Sequence, residues 1–178
     1  MTIHPGDPFA PPPHERDAAR RFRARIGGGV TLWTAGHGDG PRDRSGLTVS
    51  SLMTALGEPP HVLALLDPDA ELTDALVAGG TAVVNLLSWR DRHLAEVFAG
   101  LAPAPGGRFV PDTWRDSSWG PVLAAARAWA GVRLVGQPTP VGWSLLVDTV
   151  VEHVAFGADE PALLHVRGRY AAGPEPRA

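Results

Sequence analysis

Cysteine and lysine are both missing from the 178 residues. Without thiols there can be no disulfide framework, thiolate nucleophile, zinc–thiolate site or iron–sulfur cluster. Without lysine a P-loop is excluded, and every basic side chain other than histidine is an arginine. Long apolar runs are missing too. The stretches 62–66 and 145–147 are far too short to span a bilayer, so no membrane association is expected. Residues 1–13 hold five prolines and no apolar core, which does not suit a secretory leader, and a cytoplasmic location is expected. There is no excess of positive charge: the net charge is −3 and the pI about 6.1, which leaves no electrostatic footprint for nucleic acid. What remains is a chain of ordinary globular composition, 44% hydrophobic and 20% charged, large enough for one domain with its own core.

Several local patterns do not carry chemistry. Arg16, Arg20, Arg21, Arg23 and Arg25 form a basic run interleaved with Glu15 and Asp17, read as a solvated helix face. The glycines of 36–41 lack the last glycine of a dinucleotide fingerprint and lead into another strand. No Gly-x-Ser-x-Gly elbow occurs. The seven histidines never recur at the spacing that lets two imidazoles share a metal on one helix, so no metal site is expected. Asp67, Asp69, Glu71 and Asp74 read as a solvated loop and the acidic start of a helix, not as an acid/base pair.

Residues 1–14 read as a flexible proline-rich lead-in, 15–170 as one domain, and 171–178 as a flexible tail. Within the domain, 16–26 has helical composition and ends at Gly27-Gly28-Gly29. Strands are expected at 30–34, 47–51, 61–66, 81–87, 129–135, 143–153 and 162–167 from β-branched and alternating patterns. Short helices are expected at 72–78 and 91–98, and an irregular tryptophan-bearing stretch after 107. In 47–51 the alternation places Thr48 and Ser50 on one face and apolar residues on the other. Strands separated by turns, with no βαβ rhythm, predict a mainly β fold: a closed antiparallel barrel with short helices.

From Gly46-Leu47-Thr48-Val49-Ser50-Ser51 and Pro59-Pro60 onward, the chain resembles the flavin reductase-like family. Val83-Val84-Asn85-Leu86-Leu87, then Phe98-Ala99-Gly100, then Leu163-Leu164-His165 and Arg167-Gly168-Arg169-Tyr170 continue the likeness in order. It covers roughly residues 20–170. The resemblance implies an FMN-binding split barrel, Greek-key-like, acting as a homodimer. It implies FMN as cofactor, with FAD the other candidate, and NAD(P)H as co-substrate. On this likeness Thr48, Val49, Ser50 and Ser51 are assigned to the isoalloxazine and ribityl side. Leu66, Asp67 and Thr73 would lie near the phosphate, Asn85 would hold a wall of the site, and His165 would border the flavin's open face as the catalytic histidine.

Two departures stand out. Where the family carries a Ser-x-Thr phosphate binder, this chain reads Asp69-Ala70-Glu71-Leu72-Thr73, so a cation must come from elsewhere. Arg90, Arg92 and the arginines of 42–44 are candidates. Where many members have Gly-Asp-His, linked to nicotinamide, this chain has Val141-Gly142-Trp143. The implied activity is NAD(P)H-dependent reduction of FMN, with the product passing to a partner such as a flavin-dependent monooxygenase. The alternatives are an FMN-holding split-barrel oxidoreductase acting on another acceptor, or a non-enzymatic flavin-binding protein.

Overall fold

The computed structural model describes residues 13–175 apart from 39, 41 and 42, with side chains described from residue 18 onward. Residues 1–12 of the proline-rich lead-in, 176–178 of the tail and Arg42 therefore lie outside the described residues. Helix α1 (Pro13–Ile26) is followed by β1 (Gly28–Gly29), β2 (Thr31–Ala35), β3 (Ser45–Val49), β4 (Leu52–Ala55) and β5 (His61–Leu66). Helix α2 (Glu71–Gly79), β6 (Thr81–Leu86), a 3-10 turn (Trp89–Asp91) and α3 (Arg92–Phe98) come next. The chain then runs through β7 (Trp114–Ser117), β8 (Gly120–Leu123), β9 (Ala128–Leu134), β10 (Thr139–Val141), β11 (Ser144–Phe156), β12 (Leu163–Val166) and β13 (Arg169–Ala172).

The main sheet has the antiparallel order β3-β2-β6-β9-β11-β5-β4, with β10 added against β11. Its two edge strands, β3 and β4, are consecutive in the chain and joined only by Ser50 and Ser51. Two residues reach at most roughly 10 Å, so strands at opposite ends of the sheet can be linked this way only if the sheet curls onto itself. The Leu65 N–H donates to the Ser51 carbonyl at 2.9 Å, which carries the β4–β5 ladder up to the link. The mainly β, curled antiparallel architecture with few short helices agrees with the sequence reading.

Side chains pointing into the curl form one core cluster, with Trp33, Leu66, Leu72, Leu76, Val132 and Val147 all fully buried. A second cluster lies on the other side of β2, where Leu32, Leu87, Phe98 and Leu123 pack under α3 and the β7–β8 hairpin. β2 is thus buried on both faces. Its two threonines satisfy their hydroxyls internally, Thr31 on the Val49 carbonyl and Thr34 on the Pro121 carbonyl. Helix α2 stops at Gly80, whose left-handed backbone (φ 72°) lets its N–H close on the Leu76 carbonyl.

The described residues form thirteen strands, several of them short, where about six or seven were expected. The stretch after 107 is not irregular throughout: it contains the β7–β8 hairpin, whose Trp119 ring lies directly over Gly131 of β9. A Cβ at residue 131 would overlap that indole, so glycine is required there. β1 continues the glycine run that was read as a helix stop, and β13 carries ordered backbone to Ala172, past the residue at which the tail was expected to begin.

Candidate functional site

A small second sheet, β1-β12-β13, packs beside the barrel seam. Its register places Gly28 opposite His165 and His165 opposite Tyr170. Directly opposed residues in antiparallel strands share a face, so the imidazole stands between the phenol and a position with no side chain. His165 and Tyr170 meet edge to face, 5.8 Å between centroids. A Cβ built on Gly28 would lie 3.5 Å from the Ser50 carbonyl oxygen. The Gly28 face therefore carries no side-chain atoms, with His165 beside it and the Ser50 carbonyl at van der Waals distance from where a Cβ would stand.

Ser50 and Ser51 fall between the registers of β3 and β4, half-buried at the seam. The Arg23 guanidinium of α1 donates to the Ser51 hydroxyl at 2.8 Å. Thr48, one turn of the pleat earlier, spends its hydroxyl on the Ala95 carbonyl of α3 at 2.8 Å and so fastens that helix over the strand. Burial, and then the positive charge of Arg23, lower the His165 pKa, so the ring is neutral near pH 7. Tyr170 is shifted up by burial and by Glu96 of α3, which keeps the phenol protonated. A neutral imidazole and a neutral phenol on one face can each offer or accept a hydrogen bond without presenting charge.

The other assigned residues divide into two groups. Asp67 and Thr73 lie farther along the seam: Leu65 touches Ser51, and Asp67 follows two residues later, ~7 Å along a strand. The Thr73 hydroxyl donates to the Asp67 carbonyl at 2.7 Å, and the Asp67 carboxylate accepts the Asp69 N–H at 3.0 Å. Arg108 is the cation beside this end, 3.7 Å from Glu71. Of the arginines suggested by sequence, Arg90 pairs with Glu160, Arg92 stands over the Trp89 ring and Arg44 pairs with Asp116, so none of the three serves α2.

Val49, Leu66 and Asn85 are interior. Val49 and Leu66 belong to the barrel cluster. Asn85 is fully buried and its amide is consumed within the protein. Nδ2 donates to the Leu32 carbonyl at 3.0 Å and to the Thr34 hydroxyl at 3.2 Å, while Oδ1 accepts the Leu123 N–H at 2.9 Å. In this structure Asn85 joins β2, β6 and β8. The residues missed by sequence are Arg23, Gly28, Arg108 and Tyr170. Only Tyr170 carried a signal, as the last residue of the closing segment.

Comparison with known proteins bears directly on this arrangement. Residues 23–174 match the family described as "Flavin reductase like domain". The chain belongs to that family. This flavin reductase-like chain is 32% identical over 162 residues to "FMN reductase (NADH) RutF" of Variovorax paradoxus, covering 90% of this chain and 87% of the relative. It is 33% identical to "FMN reductase (NADH) RutF 1" of Methylorubrum extorquens over 91% of this chain and 79% of that one. Among solved structures, BorF, the flavin reductase component of a bacterial two-component tryptophan halogenase, superposes with a TM-score of 0.79 at 21% identity, covering 90% of this chain and 99% of BorF. The NADH:FAD oxidoreductase SgcE6 of Streptomyces globisporus, in complex with NAD and FAD fragments, gives 0.76 at 23% identity over 90% of this chain and 93% of its own. The split-barrel fold is shared with both.

The residues present fit a flavin at the ring end. His165, Tyr170 and the Ser50 peptide bring hydrogen-bonding groups together beside a bare glycine face, the donor and acceptor set a flavin ring uses. The phosphate end fits less well, because the Thr73 hydroxyl is already committed and the first turn of α2 is acidic. Arg108 is what offsets that charge.

Proposed function

We propose that this chain is an NADH-dependent flavin reductase that binds FMN along the barrel seam. The observation that carries the reading is the open face at Gly28, set between His165 and the Ser50 peptide in a chain of the flavin reductase-like family. Bound flavin supplies the hydride-accepting chemistry, and the protein needs no side-chain nucleophile or strong base for it.

In this reading Ser50 and Ser51 offer polar groups to the ring and ribityl chain, and Arg23 holds the Ser51 hydroxyl in place. Thr48 acts through shape, since its hydroxyl is bound to α3. His165, neutral and half-buried, is the catalytic candidate: it borders the reacting face and can orient a reduced nicotinamide by a hydrogen bond. Asp67 and Thr73 set the backbone where the phosphate arrives, and Arg108 turns to it from its 3.7 Å contact with Glu71. Trp143 stands at the tip of the β10–β11 hairpin, 63% exposed, so nicotinamide positioning falls to His165.

The curated relatives named as NADH enzymes favour NADH over NADPH and FMN over FAD. A flavin-dependent monooxygenase or a similar enzyme is the fitting recipient of the reduced flavin. A homodimer completes the proposal: the outward face of β4 and β5 leaves Met53 67% and Leu65 39% exposed, an apolar surface suited to a second copy. Such an enzyme would work in the cytoplasm, where reduced nicotinamide is supplied.

The test is a titration with FMN followed by tryptophan fluorescence, then anaerobic addition of NADH or NADPH. Saturable quenching and bleaching of the flavin absorbance by NADH is the expected result. Binding without bleaching by either nucleotide would sink the reductase reading and leave a flavin carrier. The phosphate assignment has its own check. Arg108→Ala is expected to weaken FMN about tenfold, the worth of one charge-assisted hydrogen bond. Riboflavin, which lacks the phosphate, should be unaffected. Equal losses for the two ligands would place the phosphate elsewhere.

A further inference from the structure

The basic run on α1 is not uniformly solvated. Arg21 and Arg25, one helical turn apart, join Ala24 and Arg167 in lining a cleft of about 300 Å³ between α1 and the β12–β13 turn. The joint is fixed by backbone: the Arg167 N–H donates to the Ala24 carbonyl at 2.7 Å, with Arg167 held in the left-handed region at φ 52°. Five arginines among the described residues are paired with carboxylates, and Arg23, Arg92 and Arg115 are bonded to neutral oxygens. Arg44, Arg90, Arg108, Arg127 and Arg133 each have a carboxylate partner. Among the described residues, the guanidinium groups of Arg21, Arg25 and Arg167 have no hydrogen bond or ion pair. Three guanidinium groups with no partner among the described residues, gathered around one cleft, make a local field for an anion.

The cleft adjoins the candidate site. Arg167 is two residues beyond His165, while Arg23, which holds Ser51, projects from the other side of α1 to Arg21 and Arg25. FMN has a single phosphate, which the reading above assigns to the α2 end near Arg108. A mononucleotide therefore leaves these three arginines without a role.

We propose that Arg21, Arg25 and Arg167 form an anion subsite for the diphosphate of the ADP half of a dinucleotide brought to the His165 face. The inference rests on the proposed flavin site for its placement. The same ADP half occurs in NADH and in FAD, and arginine forks suit its paired phosphate oxygens.

The test uses the full chain and ADP itself, titrated calorimetrically at low and high salt. ADP should bind the wild type and weaken as salt rises. The double variant Arg21→Ser with Arg25→Ser, and separately Arg167→Asn, which tolerates the left-handed backbone, should each lose about tenfold or more. FMN affinity, measured by tryptophan quenching, should stay unchanged in both, which also shows that they are folded. If the KM for NADH rises in the variants at constant kcat, the subsite serves the reductant. If FAD affinity falls while FMN affinity holds, it serves the flavin dinucleotide. The proposal is overturned if ADP does not bind the wild type, if the variants bind ADP as well as the wild type, or if neither NADH nor FAD responds. A wild type that binds ADP through these arginines but no FMN would refute the flavin site and leave the anion site standing.

Discussion

Asn85→Leu is expected to destabilise the protein by about 3–5 kcal/mol, measured as the shift in a urea or guanidinium unfolding curve. The side chain is the only asparagine in the sequence and is fully buried. Its amide answers three groups at once: the Leu32 carbonyl, the Thr34 hydroxyl and the Leu123 N–H. Leucine keeps the branched skeleton but is the larger side chain, so overpacking adds to the loss of the hydrogen bonds. The Leu123 N–H and the Leu32 carbonyl each lose a partner away from water, at roughly 1–3 kcal/mol apiece. Thr34 suffers less, because its hydroxyl still donates to the Pro121 carbonyl. The damage should fall on the β7–β8 hairpin, which Asn85 and Thr34 together fasten to β6 and β2. A variant within 1 kcal/mol of wild type would contradict this account. A variant of wild-type stability that no longer bound FMN would return Asn85 to the wall of the flavin site.

The same residue shows what sequence reasoning reaches. The element holding Asn85 was legible: a β-branched run bounded by glycine predicts 81–87, and β6 spans Thr81–Leu86. β5 was legible to the residue, because prolines precede it and Asp-Pro follows it. In both cases the local signal and the tertiary need agree. The β7–β8 hairpin was not legible, since Gly120 and Pro121 read as turn residues. It exists because distant groups hold it: Asn85 takes the Leu123 N–H, and Trp119 lies on Gly131. The site divides in the same way. Thr48 to Ser51 could be picked out by alternation and family likeness, and the structure places Ser50 and Ser51 at the seam. Arg23, Gly28 and Tyr170 reach them only through the pairing of β1, β12 and β13, whose partners are more than a hundred residues apart in the case of Gly28 and His165. No local pattern encodes that pairing, and a glycine after a helix has a simpler local explanation.

Gly28→Leu should abolish most flavin binding while leaving the fold intact: an FMN Kd raised about 100-fold, or ~2.8 kcal/mol, is the expected result. The backbone at residue 28 lies in an ordinary strand region, so a side chain adds no backbone strain. The first carbon would stand 3.5 Å from the Ser50 carbonyl oxygen, an ordinary contact, and Gly28→Ala should therefore bind FMN within about threefold of wild type. Leucine adds three more carbons on the face that Gly28 shares with His165, where the proposal puts the ring. Unfolding curves that overlay those of wild type, with fluorescence quenching lost, would locate the flavin between His165 and Ser50. A folded Gly28→Leu protein that quenches as wild type does would show that the flavin lies against a different part of the seam. Combining Gly28→Leu with His165→Ala separates the steric cause from the chemical one. If bulk alone is responsible, removing the imidazole restores room and part of the FMN affinity, while turnover with NADH stays low because the catalytic candidate is gone. If affinity is not restored, the obstruction is against Ser50, and the ring must lie closer to the Ser50–Ser51 segment than to the histidine.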